Sequence, residues 1–292
     1  MGARRAMVAM TVAGTLALGA ATAGAAEKEP TGPWQPDILT AALYSMAAPT
    51  IAPPGANDWN CRPSAAHPYP VVLVHGTFGN MTDSWQALSP LLANNGYCVF
   101  ALDYGGPPGN QIQATGDIPT SAAQLGAFVD RVLQATGATK VDVVGHSQGG
   151  MMPRWYIKFL GGGGAVDDLV GLVPSNHGTT NPLAPPAGQL GCPACAEQAA
   201  GSTFLQTLNA GDETPGQVSY TVVTTRYDEV VVPYTSAFLA PGPLTVNLVV
   251  QDYCPADPVE HNGMSYDPVV AQFVEDALGH PGPANPAFHP TC

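Results

Sequence analysis

Gly145-His146-Ser147-Gln148-Gly149 has the spacing G-x-S-x-G. A serine hydroxyl is a weak nucleophile until a neighbouring base takes its proton, and this spacing is one way to present it. At a sharp strand-to-helix turn the serine adopts strained backbone angles that expose its oxygen. Glycines two before and two after remove side chains that would otherwise collide there. Residues 140–144 read as a buried strand running into Gly145, and residues 148–160 have helical character. Ser147 is therefore the expected nucleophile. The helix start behind it favours developing negative charge, and the backbone N–H of Gln148 is the first expected oxyanion donor.

In such a turn the partners follow in the order serine, acid, histidine. His261, His280 and His289 have a plausible acid before them, whereas His177 lies too close to Ser147. His261 sits in a loop, Glu260-His261-Asn262-Gly263, after the last expected strand and before the last helix; His280 and His289 lie in a Pro-rich tail. His261 is the expected base. Asp228 follows the strand expected at 220–225 with only Arg226 and Tyr227 between, so it is the expected acid, with Glu229 as main rival and Asp252 and Asp257 behind. Its task is to hold the imidazole tautomer and stabilise the imidazolium. A second oxyanion N–H is expected from His75-Gly76-Thr77-Phe78-Gly79. Thr77 is preferred there over Phe78, with Gly76 and Gly79 letting the backbone approach a substrate. His75 reads as a buried packing and hydrogen-bonding residue, and His146 as a wall of the turn rather than an acid or base.

These side chains need a frame. Residues 70–75, 97–102, 140–144, 169–174, 220–225 and 244–250 read as strands, several of them continuous β-branched runs of the kind buried on both faces. Helical patterns alternate with them: one after Gly79 capped by Thr82 or Asp83, one capped by Thr120 or Ser121 and stopped by Gly137, and one opened by Asp267-Pro268. The expectation is one mostly parallel α/β sheet of about six strands with helices on both faces. Residues 1–26 read as a signal peptide, 27–69 as an irregular N-terminal wrap, and 70–292 as the catalytic domain.

The leader reading rests on Arg4-Arg5, an apolar run over 6–20, and Ala23-Gly24-Ala25 as cleavage site. Removing it takes the formal charge from −13 to −15, because 1–26 holds two arginines and no acid. Only 11% of the 292 residues are charged and Lys+Arg number 9, which excludes a nucleic-acid footprint, while 45% hydrophobic residues exclude disorder. Gly 33 and Pro 30 imply long loops. Export makes the six cysteines readable as three disulfides. Fifteen pairings are possible in principle. Sequence order favours Cys61–Cys98, Cys192–Cys195 and Cys254–Cys292. A redox or zinc role for Cys192-Pro193-Ala194-Cys195 has no second Cys-x-x-Cys to support it.

Four stretches together resemble the secreted α/β-hydrolase lipases, the class of small bacterial triacylglycerol lipases and of the fungal lipase B type. They are Val74-His75-Gly76-Thr77, Gly145 to Gly150, Tyr227-Asp228-Glu229-Val230-Val231 and Glu260-His261-Asn262-Gly263, and the likeness runs over roughly 60–292. The resemblance implies an α/β-hydrolase fold without the two opening strands of larger relatives. It also implies Thr77 and Gln148 as oxyanion donors, and supports Cys61–Cys98 and Cys254–Cys292. Residues 181–216 depart from the pattern. The expected activity is secreted, extracellular triacylglycerol or other carboxylic-ester hydrolysis, using a lipid–water interface, as a monomer, with no cofactor and no metal. Polyester or cutin hydrolysis and acyl transfer are alternatives on the same site, and a non-catalytic binding protein is the reading from another class.

Overall fold

The computed structural model describes residues 37–292. The leader expected over 1–26 lies outside the described residues. The strands are β1 (Val71–Val74), β2 (Val99–Leu102), β3 (Val141–His146), β4 (Val166–Leu172), β5 (Ser219–Thr224) and β6 (Thr245–Val249). All pair in parallel in one sheet of order β2-β1-β3-β4-β5-β6. The helices are α1 (Ile38–Ala47), α2 (Met81–Ser84), α3 (Leu88–Asn94), α4 (Ile118–Thr136), α5 (Gln148–Met151), α6 (Pro153–Phe159), α7 (Ala184–Gln189), α8 (Pro193–Glu197), α9 (Thr203–Asn209), α10 (Val250–Tyr253) and α11 (Pro268–Leu278). The described part of the stretch expected as an irregular wrap, 37–69, thus carries α1, capped by the Asp37 side chain.

Period-2 alternation in the strands sends side chains to two separate cores. Val72 and Val74 of β1 join Phe100, Leu125, Val129, Met151, Tyr156 and Leu208 on one face. Val71 and Leu73 join Trp85, Leu92, Val144, Val170, Phe273 and Val274 on the other. Both faces of β1 and β3 are fully covered, which explains why these strands read as unbroken apolar runs. The two longest helices occupy opposite faces: α4 contributes Ile118, Leu125 and Val129 to the first core, and α11 contributes Val270, Phe273 and Val274 to the second.

Two expected helices are broken. The one after β1 is capped by Asn80 rather than Thr82 or Asp83, through reciprocal bonds with Asp83, and it stops at Ser84 before α3 begins. Trp85 occupies the break and is fully buried. The helix over 148–160 divides at Met152, where Pro153 starts α6, as expected of a residue that supplies no N–H to a continuing ladder. Strand β3 reaches two residues further than expected, to His146. Residues 181–216, which depart from the family pattern, hold α7, α8 and α9.

All three disulfides pair as the sequence order favours: Cys61–Cys98, Cys192–Cys195 and Cys254–Cys292. Among the described residues no helix is long and apolar enough to cross a membrane.

The strand order places β1 and β3 side by side although β2 lies between them in sequence. The chain winds one way from β1 to β2 and the other way from β3 onward. The crevice beyond the carboxyl ends of β1 and β3 is the position where open parallel sheets hold ligands.

Candidate active site

Ser147 follows β3 directly, at that crevice, with φ 55° and ψ −121°. For a residue with a Cβ this is a strained conformation, held only because its surroundings fix it. The glycines make it possible. A Cβ on Gly145 would lie 1.8 Å from the Gly149 carbonyl oxygen, and one on Gly149 would lie 2.0 Å from that of Val74. Strand end, turn and helix start are thus packed backbone to backbone.

The expected base and acid come from neighbouring loops. Asp228 follows β5, and a parallel bridge between Tyr227 and Glu260 sets its loop alongside the one carrying His261. His261 Nδ1 lies 2.9 Å from Asp228 Oδ1, with both side chains buried. Nδ1 therefore donates its proton to the carboxylate, which leaves Nε2 as a lone-pair acceptor. The same Asp228 oxygen accepts the N–H of Val230 at 2.9 Å and of Val231 at 2.8 Å, which fixes the carboxylate. The Cys254–Cys292 bridge ties the chain seven residues before His261 to the C-terminus.

The rival groups are occupied elsewhere. Glu229 accepts the backbone N–H of His261 at 3.4 Å and does not reach its ring. Asp252 pairs with Arg226, and Asp257 accepts the N–H of Val259. His280 sits beside Asp276 and His289 beside Tyr253, while His177 pairs with Glu213. His146 donates from Nε2 to the His261 carbonyl oxygen at 2.8 Å, bracing the loop from below. Burial, and secondarily the nearby His261, push the His146 pKa down to about 3. Burial likewise takes His75 to about 4, so its 3.7 Å approach to Asp103 is no ion pair at neutral pH. His75 stacks on Tyr104, whose hydroxyl donates to the His75 carbonyl oxygen. Both are structural histidines, as the sequence suggests.

The loop after β1 reaches the serine. A Cβ on Gly76 would stand 3.1 Å from Ser147 Cβ and 2.9 Å from His146 Nδ1, so only glycine allows this approach. Phe78 has φ 69° and donates its N–H to Gln113 O at 3.0 Å, so that N–H is not available to a substrate. The N–H groups of Thr77 and Gln148 have no acceptor among the described residues. The Thr77 hydroxyl donates to Gln148 Oε1 at 2.7 Å, linking the β1 loop to the start of α5.

Ser147, His261, Thr77 and Phe78 line one cavity of about 320 Å³. Its further walls come from Leu183, Ala184 and Ala187 around α7 and from Val230 and Val231 beside Asp228. Two polar wall residues, Ser175 and Gln198, escape sequence reasoning. No local pattern marks them, because their partners lie far away in the chain. Among the described residues, the group that could hold a metal ion is Asp142, Asp167 and Asp168. A register shift between β3 and β4 sets these acids together at the amino ends of the strands, away from Ser147.

A family model described as lipase (class 2) matches residues 68–274. A triacylglycerol lipase of Pseudarthrobacter phenanthrenivorans is 40% identical over 96 residues, covering 31% of this chain and 28% of the relative. One from Vibrio cholerae is 35% identical over 125 residues, covering 37% and 38%. The matched stretches thus span well under half of these relatives. Among solved structures, Aspergillus fumigatus lipase B aligns with a TM-score of 0.65 at 24% identity, covering 77% of this chain and 57% of that one. A Bacillus licheniformis lipase in its propeptide form aligns with 0.57 at 18% identity, covering 79% and 54%. These likenesses show an α/β-hydrolase fold.

Proposed function

Because this chain belongs to the class 2 lipase family, we propose that it hydrolyses carboxylic esters of lipids, triacylglycerols among them, with Ser147, His261 and Asp228 as a triad. The observation that carries the reading is the buried His261–Asp228 pair opening on the same cavity as the strained Ser147. Ser147 Oγ attacks the ester carbonyl carbon while His261 Nε2 takes its proton. The tetrahedral oxyanion accepts the N–H groups of Thr77 and Gln148. As it collapses, the bond to the alkoxy oxygen breaks and His261 returns the proton to the leaving alcohol. Water then attacks the acyl-serine, giving its proton to His261, and the carboxylic acid leaves as Ser147 recovers its hydrogen. Asp228 holds the tautomer and balances the imidazolium throughout.

The setting is a lipid–water interface outside the cell, reached through a leader at 1–26, and the enzyme works as a monomer. Phe78, Leu183 and Val230 support the interface. They line the cavity and yet stand 53%, 72% and 36% exposed, an apolar rim around its mouth. The test is hydrolysis of soluble nitrophenyl butyrate and of an emulsified long-chain triacylglycerol, with fluorophosphonate labelling. Wild type turns over both and is labelled at Ser147, and Ser147→Ala loses turnover and label. Turnover that survives in Ser147→Ala sinks the reading.

A further inference from the structure

Gln198 stands immediately after α8, three residues beyond Cys195, and is 8% exposed. Its side chain is at the centre of a network joining four separate parts of the chain. Nε2 donates to Thr77 Oγ1 at 2.9 Å and approaches Gln148 Oε1 at 3.2 Å and Ala194 O at 3.1 Å. Oε1 accepts the Ser175 hydroxyl at 2.8 Å. The backbone is held as well, since the Gln198 N–H donates to Ala194 O and its carbonyl accepts the N–H of Thr179. The Cys192–Cys195 bridge closes the turn from which Gln198 projects.

The two residues that Gln198 grips are the two expected oxyanion donors. Thr77 comes from the loop after β1 and Gln148 from the start of α5; besides their mutual bond, Gln198 is the shared partner of both side chains. The orientation of Gln148 follows from this. With its oxygen facing two donors, its Nε2 is buried without a partner among the described residues. Turning the amide over would set its NH₂ against the NH₂ of Gln198, donor against donor. Gln148 is thus held in an arrangement that its own bonding does not favour.

We propose that Gln198 is a positioning residue for the oxyanion hole. It fixes Thr77 and Gln148 relative to each other so that both backbone N–H groups meet the developing oxyanion. The proposal rests on the ester-hydrolase reading above. Preorganised donors act on the transition state more than on the bound ester. Loss of Gln198 therefore shows in kcat rather than KM, and misplacement of such groups by a fraction of an ångström to 1 Å costs about 10- to 100-fold.

Two near-isosteric variants test this. Gln198→Met keeps the volume and removes the donor. Gln198→Glu keeps the shape, donates when protonated, and as a carboxylate faces Gln148 Oε1 and Thr77 Oγ1 with acceptors only. Steady-state kinetics with nitrophenyl butyrate across pH 5 to 9, each rate taken as a ratio to wild type at that pH, give the readout. The expected result is a kcat of Gln198→Met about 10- to 100-fold low at every pH with KM within twofold. Gln198→Glu approaches wild type at low pH and falls toward the Met variant as pH rises. Circular dichroism of Gln198→Glu at the same pH values separates a pH-dependent loss of fold from the loss of kcat. Two results overturn the proposal: a kcat of Gln198→Met within twofold of wild type, or a Glu ratio that does not change with pH. If wild type has no esterase activity, or Ser147→Ala keeps it, the hydrolase reading fails instead.

Discussion

One oxygen of Asp228 accepts three donors, the N–H groups of Val230 and Val231 and the Nδ1–H of His261. An aspartate held this way has little freedom to turn, so the imidazole inherits a fixed tautomer and direction. Asp228→Asn places an amide against Nδ1 and favours the wrong tautomer, so kcat on nitrophenyl butyrate should fall about 10⁴-fold. Glu229→Gln should leave kcat within about twofold, since Glu229 reaches only the backbone of His261. A larger loss in Glu229→Gln than in Asp228→Asn would reverse the assignment. At this scale the chain is legible where chemistry constrains spacing. G-x-S-x-G names Ser147 because backbone meets backbone at Gly145 and Gly149. An acid separated from the expected strand end by only two residues points to Asp228 because parallel strands deliver their loops to one edge. Gln198 is not legible: its bond to Thr77 spans 121 residues, and nothing local distinguishes it from any polar loop residue.

The elements show a similar division. Buried parallel strands declare themselves as apolar runs, α11 is marked by its Asp267 cap, and α4 by its apolar periodicity and Gly137, although its cap is Asp117 rather than the expected Thr120 or Ser121, so that helix starts at Ile118. The break at Trp85 is not declared, because tertiary packing around a buried side chain decides it, whereas the break at Met152 is written in the sequence as Pro153. The acids at the start of β3 and β4 carry a stability consequence. Asp142 and Asp168 are buried together, and their carboxyls are raised, Asp168 to about 7, by burial first and by neighbouring carboxylates second. A carboxyl whose folded pKa exceeds its unfolded value stabilises the fold while protonated. That contribution is complete below the unfolded value of 3.8 and is lost as pH rises through about 7. Asp168→Asn should therefore raise Tm at pH 8, by about 2–4 °C for each kcal/mol recovered in a chain of this size. The gain should shrink at pH 5, as followed by circular dichroism. Equal or negative changes at both values would contradict it. The Cys254–Cys292 bridge closes 38 residues that include the His261 loop. Replacing both cysteines by serine should cost about 4 kcal/mol by loop entropy, read from denaturant titration. Activity should decline at temperatures where Ser147→Ala with intact bridges remains folded.

For the whole molecule, low charge and abundant glycine and proline translate into a two-faced sheet core bearing loops around one apolar mouth. The sequence carries 22 acids against 9 Lys and Arg, so electrostatic attraction cannot draw it to an anionic surface. Under the proposed action on lipid esters, apolar contact has to do that. The rim at Phe78, Leu183 and Val230 is continued by α1, whose Ile38 and Ala42 flank a groove shared with Gly76, Thr77 and Phe78. On α1, Leu39, Leu43 and Met46 recur at i, i+4 and i+7 and are 68%, 59% and 65% exposed. That is an apolar stripe facing outward beside the active-site mouth. Full burial of a leucine side chain contributes about 1.5–3 kcal/mol. Partial immersion of two in a lipid surface therefore corresponds to at least about a tenfold change in adsorption, at 1.4 kcal/mol per decade. Leu39→Ser combined with Leu43→Ser should lower the rate on emulsified long-chain triacylglycerol about tenfold or more at limiting interface, and adding more emulsion should restore it. The same protein should hydrolyse soluble nitrophenyl butyrate at the wild-type rate, since neither leucine lines the catalytic cavity. Equal rates on the emulsion would show that α1 stays in water while the enzyme works. Parallel losses on both substrates would show that α1 supports the oxyanion loop rather than meeting lipid.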